Sequence, residues 1–249
     1  MKLSERFKTE SKAEVPHLPV SINIITTPDD LQKTARLFNS IPEGVEVVIV
    51  VSEPSGEFSE DLEHKPTERW DTKVIKRRYE GEFNFADARN CAKHYSTRDW
   101  IMWLDSDDEI VSSNIGTLLN ELRELPIGIG GLFCGCVGLQ KEFGKNPNAY
   151  YSVAQVRLFR NLPEINWFGV AHEQIADSIS KQYLSIQWSD LLIQHHGYNT
   201  SAEDMRNKLK RNVRKMCAEY GQGESEEFRE SGLEDLIMRD ISSIKALNF

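Results

Sequence analysis

Residues 100–110 read Trp-Ile-Met-Trp-Leu-Asp-Ser-Asp-Asp-Glu-Ile, so an apolar run ends abruptly in a cluster of four acidic side chains. The run 100–104 is typical of a short buried strand. Such a strand would deliver Asp105 and Asp107 to the carboxyl edge of a sheet, where α/β proteins bind ligands. Residues i and i+2 of an extended segment point the same way, with Cα atoms about 6–7 Å apart. Two carboxylates so placed can hold a hard divalent cation, which in turn holds phosphate oxygens. The alternative is a solvated acidic turn after a strand.

The segments around this strand alternate between β-branched apolar runs and helical periodicities. We predict strands over residues 20–25, 45–51 and 72–75, and helices over residues 29–40, 85–95 and 112–125. The polar stretch 52–71 contains two prolines and a glycine and predicts a long loop. A strand-helix-strand order predicts parallel strands joined by right-handed crossovers, as in nucleotide-binding folds.

The second half of the chain has a different character. Residues 129–139 are Gly-rich and apolar, and residues 154–158 alternate between apolar side chains and Gln155 or Arg157, which predicts a half-exposed strand. A further strand is predicted over residues 184–194. Beyond residue 199 we expect two helices, the first with a basic face at 205–215. The predicted organisation is one domain over residues 1–199 and a helical appendage over 200–249 packed on it.

The composition is that of an ordinary soluble globular protein. Of 249 residues, 39% are hydrophobic and 28% are charged, and the net charge of −9 argues against wholesale coating of nucleic acid. No run approaches the ~18–20 apolar residues that cross a bilayer. The polar first twenty residues do not resemble a signal peptide. The four cysteines show no disulfide or zinc spacing, so we expect a protein of the reducing cytoplasm.

Two other acidic motifs do not fit residues 105–109. A calcium-binding EF-hand loop that starts at Asp105 needs Gly at its sixth position and Glu at its twelfth, and the chain has Ile110 and Gly116 there. A phosphatase with an aspartyl nucleophile carries its aspartates on the first strand, with a hydroxyl two residues after the second. That position is Glu109. We expect Asp108 and Glu109 to serve local structure.

Several segments, which follow one another in the same order as in that family, resemble the GT-A glycosyltransferases, particularly family 2. They are Phe-Ala-Asp-Ala-Arg-Asn (85–90), the acidic segment 100–109, Arg-Leu-Phe-Arg (157–160), Trp-Phe-Gly-Val-Ala-His-Glu (167–173) and Ile-Gln-His-His-Gly-Tyr (193–198). The resemblance implies a GT-A, Rossmann-like α/β domain with a mixed central sheet. It implies a metal-dependent, inverting enzyme that moves a sugar from a nucleoside-diphosphate sugar, a UDP-sugar on family grounds, to an acceptor hydroxyl. The implied cofactor is Mn²⁺ or Mg²⁺.

The resemblance also assigns roles to single residues. Asp105 contacts the ribose or the metal, and Asp107 binds the metal. His195 is a further ligand of the metal or the diphosphate, with a packed core histidine as the alternative. Its neighbour His196 should point the opposite way if the segment is extended. Glu173 is the candidate general base, and a structural glutamate at a helix start is the alternative.

The nucleotide site is predicted less directly, because the start of the chain departs from the family pattern. The first strand is followed by threonines rather than by Asn or Asp, and the second by a glutamate rather than by the aspartate that reads the base. The predicted donor-binding residues are Thr26, Thr27, Glu53, Arg89, Asp105 and Ser106. We expect Arg89 to bind either the nucleotide or Asp105 in the site. The alternative is that it forms a salt bridge with a structural role only. Trp167 and Phe168 form either an acceptor platform or part of the core.

Two other functions remain open at the level of sequence. A nucleotidyltransferase also uses a parallel sheet, carboxylates and Mg²⁺, although its usual Gly-rich loop is absent after the first strand. A non-catalytic module that binds sugar nucleotides is the second. The acceptor is unidentified and could be a glycan, a lipid, a protein or a nucleic acid. The basic face at 205–215 is a candidate docking surface for an anionic one.

Overall fold

The computed structural model describes residues 17–197, except 32–33, 54–55, 80–82, 141–148 and 170–171, together with separate helical residues between 203 and 215. Its strands are β1 (Val20–Thr26), β2 (Glu46–Glu53), β3 (Ser59–His64), β4 (Asp71–Arg78), β5 (Trp100–Asp105), β6 (Asp108–Ile110), β7 (Ile129–Gln140), β8 (Ala149–Arg160) and β9 (Ser185–His195). Its helices are α1 (Pro28–Leu31), α2 (Ala35–Ser40), α3 (Phe85–Tyr95), α4 (Ile115–Glu121) and α5 (Ala176–Ser180). The described strands form one mixed sheet in the order β3-β4-β2-β1-β5-β8-β7-β9-β6.

The first half of the sheet is the predicted parallel core. β1 lies between β2 and β5 and is parallel to both, and β2 is parallel to β4. All seven residues of β1 are buried, which a parallel strand requires when both faces of the sheet are covered. Ile22 and Leu37 belong to the cluster on one face, while Val48 and Ala88 of α3 belong to the cluster on the other. The predicted α/β arrangement is confirmed.

The second half of the sheet is mixed, since β8 runs antiparallel to both β5 and β7, whereas β7 and β9 are parallel to each other. β5 pairs with β8 only from Trp100 to Met102, so the last residues of β5 extend beyond this partner. β7 then joins β8 to β9, and β6 is the outer strand next to β9. Because only two residues separate β5 from β6 along the chain, this half of the sheet must curve toward the end of β5. The end of β9 is thereby brought to the carboxyl edge of the parallel strands.

Two predictions for the first half were wrong. The stretch 52–71 is not a loop throughout, since β3 lies within it and pairs antiparallel with β4. Its strand character was hidden because ion pairs take the place of an apolar pattern, with Lys76 bonded to Glu63 at 2.6 Å. Charged edges of this kind also discourage further strand pairing. The single helix expected over 29–40 is two short helices, and the hydroxyl of Thr34 donates to the carbonyl of Leu31 between them at 2.6 Å.

Five further predictions need correction or limits. The strand over 154–158 is not half-exposed in the way its alternation suggested, because Arg157 is only 2% exposed. The helix expected over 112–125 is shorter and ends in a 3₁₀ turn, Leu122–Glu124. Lys215, a member of the predicted basic face, is buried and donates to the carbonyl of Phe83. The second C-terminal helix lies outside the described residues, and the division at residue 199 stays a prediction.

Candidate active site

A tight turn between β5 and β6 brings three aspartates to the carboxyl edge of the sheet. The N–H of Asp105 donates to Oδ2 of Asp108 at 2.8 Å, and the N–H of His196 donates to the carbonyl of Asp107 at 2.9 Å. The first bond closes the turn, and the second joins it to the end of β9. One ligand atom from each of Asp105, Asp107, Asp108 and His195 lies within 4.8 Å of the others. Three of these four were predicted as metal ligands.

Gly197 lies in close contact with the side chains of Asp107 and His195. A Cβ atom at this position would lie 2.6 Å from Nε2 of His195 and closer still to Oδ2 of Asp107, so any larger residue would displace these two groups. Carboxylate oxygens with one imidazole nitrogen suit a hard or borderline divalent cation such as Mg²⁺ or Mn²⁺. The donor set of the cluster therefore fits the cation that the sequence predicts.

Asp108 is more than a residue of the local turn. It is 1% exposed, its Oδ1 accepts from Nδ1 of His195 at 2.8 Å, and its Oδ2 accepts from Nη1 of Arg157 at 2.7 Å. A carboxylate at this depth is stable only when it is paired and hydrogen-bonded. Sequence reasoning missed both members of this ion pair as site residues. The available signal was the first arginine of the segment 157–160, but the alternation of the strand suggested that it faces solvent.

His195 lies among three carboxylates. Burial by itself would lower the pKa of its imidazole, but the hydrogen bond to Asp108 and the nearby charge of Asp107 raise that pKa above the usual 6.5. The neighbouring His196 has other partners: its Nε2 lies 3.0 Å from Glu109, and its Nδ1 lies 3.4 Å from Nη1 of Arg36. The expected opposite orientation of the two histidines is confirmed.

Arg89 of α3 joins the aspartate turn to the segment that carries Glu173. The arginine is 4% exposed, its Nη2 donates to Oδ1 of Asp105 at 2.8 Å, and its Nε donates to Oε1 of Glu173 at 2.7 Å. Burial would raise the pKa of Asp105, but the charges of Arg89 and Arg157 hold this pKa well below the usual 3.8. Asp105 is therefore a carboxylate at neutral pH. The two carboxylates bound by Arg89 are the anionic partners that its burial demands.

Glu173 lies in the connection between β8 and α5, which is bonded to α3. The side chain of Asn90 on α3 both donates to the carbonyl and accepts from the N–H of Trp167, at 2.9 and 2.8 Å. His172 adopts a φ of 54°, a left-handed conformation that costs a non-glycine residue about 1 kcal/mol or more. Because α5 begins only at Ala176, Glu173 does not stand at a helix start.

The other predicted donor-binding residues are more dispersed. Thr26 ends β1 and is buried, and Ser106 lies within the acidic turn. The hydroxyl of Thr27 accepts from the N–H of Asp30 at 3.2 Å, at the start of α1. The carboxylate of Glu53 accepts from Arg78 at 2.7 Å, at the end of β2. Thr27 and Glu53 thus engage local partners at the same edge of the sheet.

Of the two aromatic residues that were expected either to form an acceptor platform or to belong to the core, Trp167 belongs to the core. Trp167 is 6% exposed and packs edge-on against Trp103 and Phe159, with ring centres 5.2 and 6.0 Å apart. It is a core residue beneath the site, which is the second of the two expectations.

Comparison with known proteins gives a family and several distant relatives. The sequence model of "Glycosyl transferase family 2" matches residues 25–174. A TPR repeat-containing protein of Synechococcus elongatus is 29% identical over 51% of this chain and 32% of its own length. The SPbeta prophage-derived glycosyltransferase SunS of Bacillus subtilis is 22% identical over 81% of this chain and 44% of its own length. The chain thus spans less than half the length of these curated relatives.

Solved structures with a similar course of the chain are more distant in sequence. The mannosyltransferase PcManGT of Pyrobaculum calidifontis, in complex with GDP-Man and Mn²⁺, is 11% identical, with 95% of this chain and 76% of that chain covered and a TM-score of 0.46. TarS 1–349 of S. aureus, in complex with UDP-GlcNAc, is 13% identical, with 90% and 72% covered and a TM-score of 0.44. Among the residues that the structure describes, none of the helices has both the length and the apolar character of a membrane span.

Proposed function

The chain belongs to glycosyl transferase family 2, and from this premise we propose that it moves a glycosyl group from a nucleoside-diphosphate sugar to an acceptor hydroxyl, with inversion and with a divalent cation. Membership of the family and the α/β fold with a mixed sheet agree with the sequence predictions. The observation that carries the proposed reaction is that Arg89 donates to both Glu173 and Asp105, which keeps the candidate base next to the aspartate turn at the carboxyl edge of the parallel strands.

The cation is assigned to Asp107 and His195, with Asp105 as their neighbour, because the ligand atoms of these side chains lie within 4.8 Å of one another. When bound, Mn²⁺ or Mg²⁺ neutralises the charge of the leaving diphosphate as a Lewis acid. Asp105 is held by Arg89 and is then the group next to the ribose or the cation. The donor is proposed to be a UDP-sugar on family grounds, with Thr26, Glu53 and Ser106 at the nucleotide end.

Glu173 is proposed as the general base. Its Oε1 is held by Arg89, so Oε2 is the oxygen that we assign to the acceptor. Glu173 takes the acceptor proton while the acceptor oxygen bonds to the anomeric carbon and the bond to the diphosphate breaks on the opposite face. Positioned general bases contribute about 10²–10⁴-fold to turnover. The left-handed backbone at His172 and the two bonds of Asn90 hold the segment in which this carboxylate lies.

The direct test is a hydrolysis screen of UDP-, GDP-, dTDP- and CMP-sugars with Mn²⁺, in which the released nucleotide is measured. We expect slow hydrolysis of one donor, UDP-linked by preference, and its loss when the cation is removed by EDTA. Asp107→Ala should abolish turnover together with Mn²⁺ binding. Glu173→Gln should lower turnover about 10²–10⁴-fold while donor affinity changes little. Asp61→Asn, on the exposed strand β3, is the matched control.

Several outcomes would contradict the proposal. If Asp107→Ala and Glu173→Gln both leave turnover intact in folded protein, the assignment of the site is wrong. Release of pyrophosphate from a nucleoside triphosphate would identify a nucleotidyltransferase. Normal binding of sugar nucleotide and Mn²⁺ without transfer or hydrolysis would identify a binding module.

A further inference from the structure

We propose that a cavity at the amino ends of β1 and β5 binds a phosphate group, free or carried by a small monoester, between the guanidinium groups of Arg123 and Arg160. The cavity encloses about 200 Å³, and its charged and amide side chains are Asp99, Arg123, Arg160 and Asn161. Pockets for drug-sized ligands measure about 300–1,000 Å³. This cavity therefore suits a smaller ligand than a sugar nucleotide.

The cavity lies at the end of the sheet opposite to the candidate active site. Trp100 lines it and begins β5, whereas Asp105 ends the same strand in the acidic turn. A rise of about 3.3 Å per residue places the two residues about 16 Å apart. The N–H of Trp100 donates to the carbonyl of Pro19, just before β1, at 3.0 Å. A ligand in this cavity would therefore not occupy the place that we propose for the donor or the cation.

Arg160 is held in one orientation by neutral partners. Its Nε donates to the carbonyl of Ile129 at 2.7 Å, and its Nη2 donates to the carbonyls of Leu125 and Pro126, each at 3.1 Å. Its Cζ lies 4.6 Å from the centre of the Trp100 ring. A guanidinium group has five N–H donors. Within the described part of the chain, these bonds leave the two N–H groups of Nη1 for another acceptor.

Arg123 is held in a similar way by uncharged oxygens. Its Nε donates to Oδ1 of Asn120 at 3.4 Å, and its Nη2 donates to the carbonyl of His17. Its Nη1 also has no acceptor among the described residues. Both guanidinium groups are thus oriented before a ligand arrives, which reduces the entropy that binding would cost.

The charges of these two arginines point to an anionic ligand. Among the described residues, no carboxylate forms an ion pair with either guanidinium group, although Asp99 also lines the cavity. By contrast, Arg77, Arg89 and Arg157 each pair with at least one carboxylate. The chain carries a net charge of −9, so acidic side chains are not scarce. A phosphate group has enough oxygens to accept paired N–H bonds from two guanidinium groups at once.

Asp99 gives the proposal a second test, because it should oppose binding. It is the one acidic side chain in the lining of the cavity. Like charges that share a small volume repel each other. Removal of this carboxylate should therefore strengthen the binding of phosphate, a gain that a damaged fold does not produce.

Arg69 provides a matched control for Arg160. It too donates to a backbone carbonyl, that of Ile41 at 2.8 Å, and its Cζ lies 4.3 Å from the centre of the Trp70 ring. Unlike Arg160, it has a carboxylate partner, since its Nε lies 3.7 Å from Glu43. Arg160→Gln and Arg69→Gln therefore remove similar structural contacts, and only the first changes the cavity.

The experiment measures the binding of inorganic phosphate and of methyl phosphate by isothermal titration calorimetry, in a chloride buffer with EDTA to remove divalent cations. We expect one site per chain. Arg123→Gln and Arg160→Gln should each weaken binding about tenfold or more, the scale of a hydrogen bond to a charged group. Asp99→Asn should strengthen it, and Arg69→Gln should leave it unchanged. Tighter binding of methyl phosphate would assign the cavity to monoesters, and equal or weaker binding would assign it to free phosphate.

This readout is independent of the proposed function, since it needs neither donor, cation nor turnover. The phosphate affinity of Asp107→Ala should equal that of the native protein, and its loss in this variant would place the phosphate in the acidic turn and overturn the proposal. Absence of phosphate binding, acetate binding as tight as that of phosphate, or native affinity in Arg123→Gln would also overturn it. Because Arg123 is exposed, Arg123→Gln and Asp99→Asn decide the question if Arg160→Gln does not fold by circular dichroism.

Discussion

Gly197 has no side chain, which allows the side chains of Asp107 and His195 to lie close to its backbone. The residue follows β9 by two positions, and a β-carbon there would overlap the side chains of Asp107 and His195. The atoms that such a carbon would meet are ends of side chains, which can move aside. Substitution is therefore tolerable for the fold but displaces the very groups that we assign to the cation.

We predict that Gly197→Ala lowers Mn²⁺ affinity by about tenfold or more, the scale at which disturbed metal sites respond, without unfolding the protein. The added methyl group would overlap Oδ2 of Asp107 and Nε2 of His195, so both side chains must move. The measurement is a Mn²⁺ titration followed by electron paramagnetic resonance, with circular dichroism as the check of folding.

The control is Gly116→Ala on α4, where a Cβ atom would meet nothing within 4 Å. This substitution should leave the Mn²⁺ affinity unchanged and favour the helix slightly, by about 0.5–1 kcal/mol. Equal affinities of the Gly197→Ala variant and the native protein would contradict the assignment of the cation to Asp107 and His195.

At the scale of elements, Glu46 at the start of β2 links three neighbouring segments. Its buried carboxylate accepts from Ser21 of β1, from Lys73 of β4 at 2.6 Å and from the N–H of Thr97 at 2.8 Å. Burial would raise the pKa of Glu46, but these bonds hold it below the usual 4.5. The ion pair of Glu46 with Lys73 lies at the end of the strands opposite to the candidate active site, so its role is stability.

Glu46→Gln should lower the free energy of unfolding at pH 7 by about 3 kcal/mol, because it leaves the ammonium of Lys73 buried without its anion. The folded carboxyl has a pKa below that of the unfolded chain. Its contribution is therefore complete above pH 4.5 and is lost as the pH falls through the folded pKa. Urea denaturation at pH 7 and at successively lower pH measures the difference between the two proteins, which should shrink below pH 4.5.

Glu63→Gln is the control for this prediction. Glu63 bonds to Lys65 and Lys76 on the exposed edge strand, where solvent screens the ion pairs and little stability is at stake. A loss of stability in Glu63→Gln as large as that in Glu46→Gln would contradict the importance of burial.

At the scale of the whole molecule, one continuous sheet carries both halves of the candidate site. The parallel half supplies the acidic turn, and the half that turns back supplies His195 and Arg157. The two halves meet where β5 pairs with β8 over only three residues. Leu158 lies at this junction opposite Met102 and is fully buried, so its packing helps to hold the two halves together.

Leu158→Ala should destabilise the protein by about 2–5 kcal/mol, the range for leucines in closed cores. Leu192→Ala on β9 is the matched control, because Leu192 is 38% exposed, and a change within about 0.5 kcal/mol is expected there. Urea unfolding curves of both variants provide the comparison. A smaller effect at residue 158 than at residue 192 would show that the junction between β5 and β8 is not a packed core.

The sequence by itself determined the local features of this protein. The β-branched runs predicted β1 and β2, the helical spacing of Phe85 and Ala88 predicted α3, and the acidic segment predicted a site at the end of β5. These features depend on hydrophobic periodicity and on neighbours along the chain, which are read directly from residue types. The family resemblance added roles for Glu173 and His195 that remain predictions.

Only the tertiary structure decided how distant residues meet. The edge strand β3 and the buried Arg157 escaped prediction, because charged side chains that are satisfied by partners far along the chain look like solvent-facing ones. The pairing of β9 with β6 places His195 beside Asp108, although 87 residues separate them. Strand order and sheet curvature arise from contacts between remote segments, and no local pattern encodes them. The acidic turn was therefore visible in the sequence, whereas the ion pair of Arg157 with Asp108 beside it became visible only in the fold.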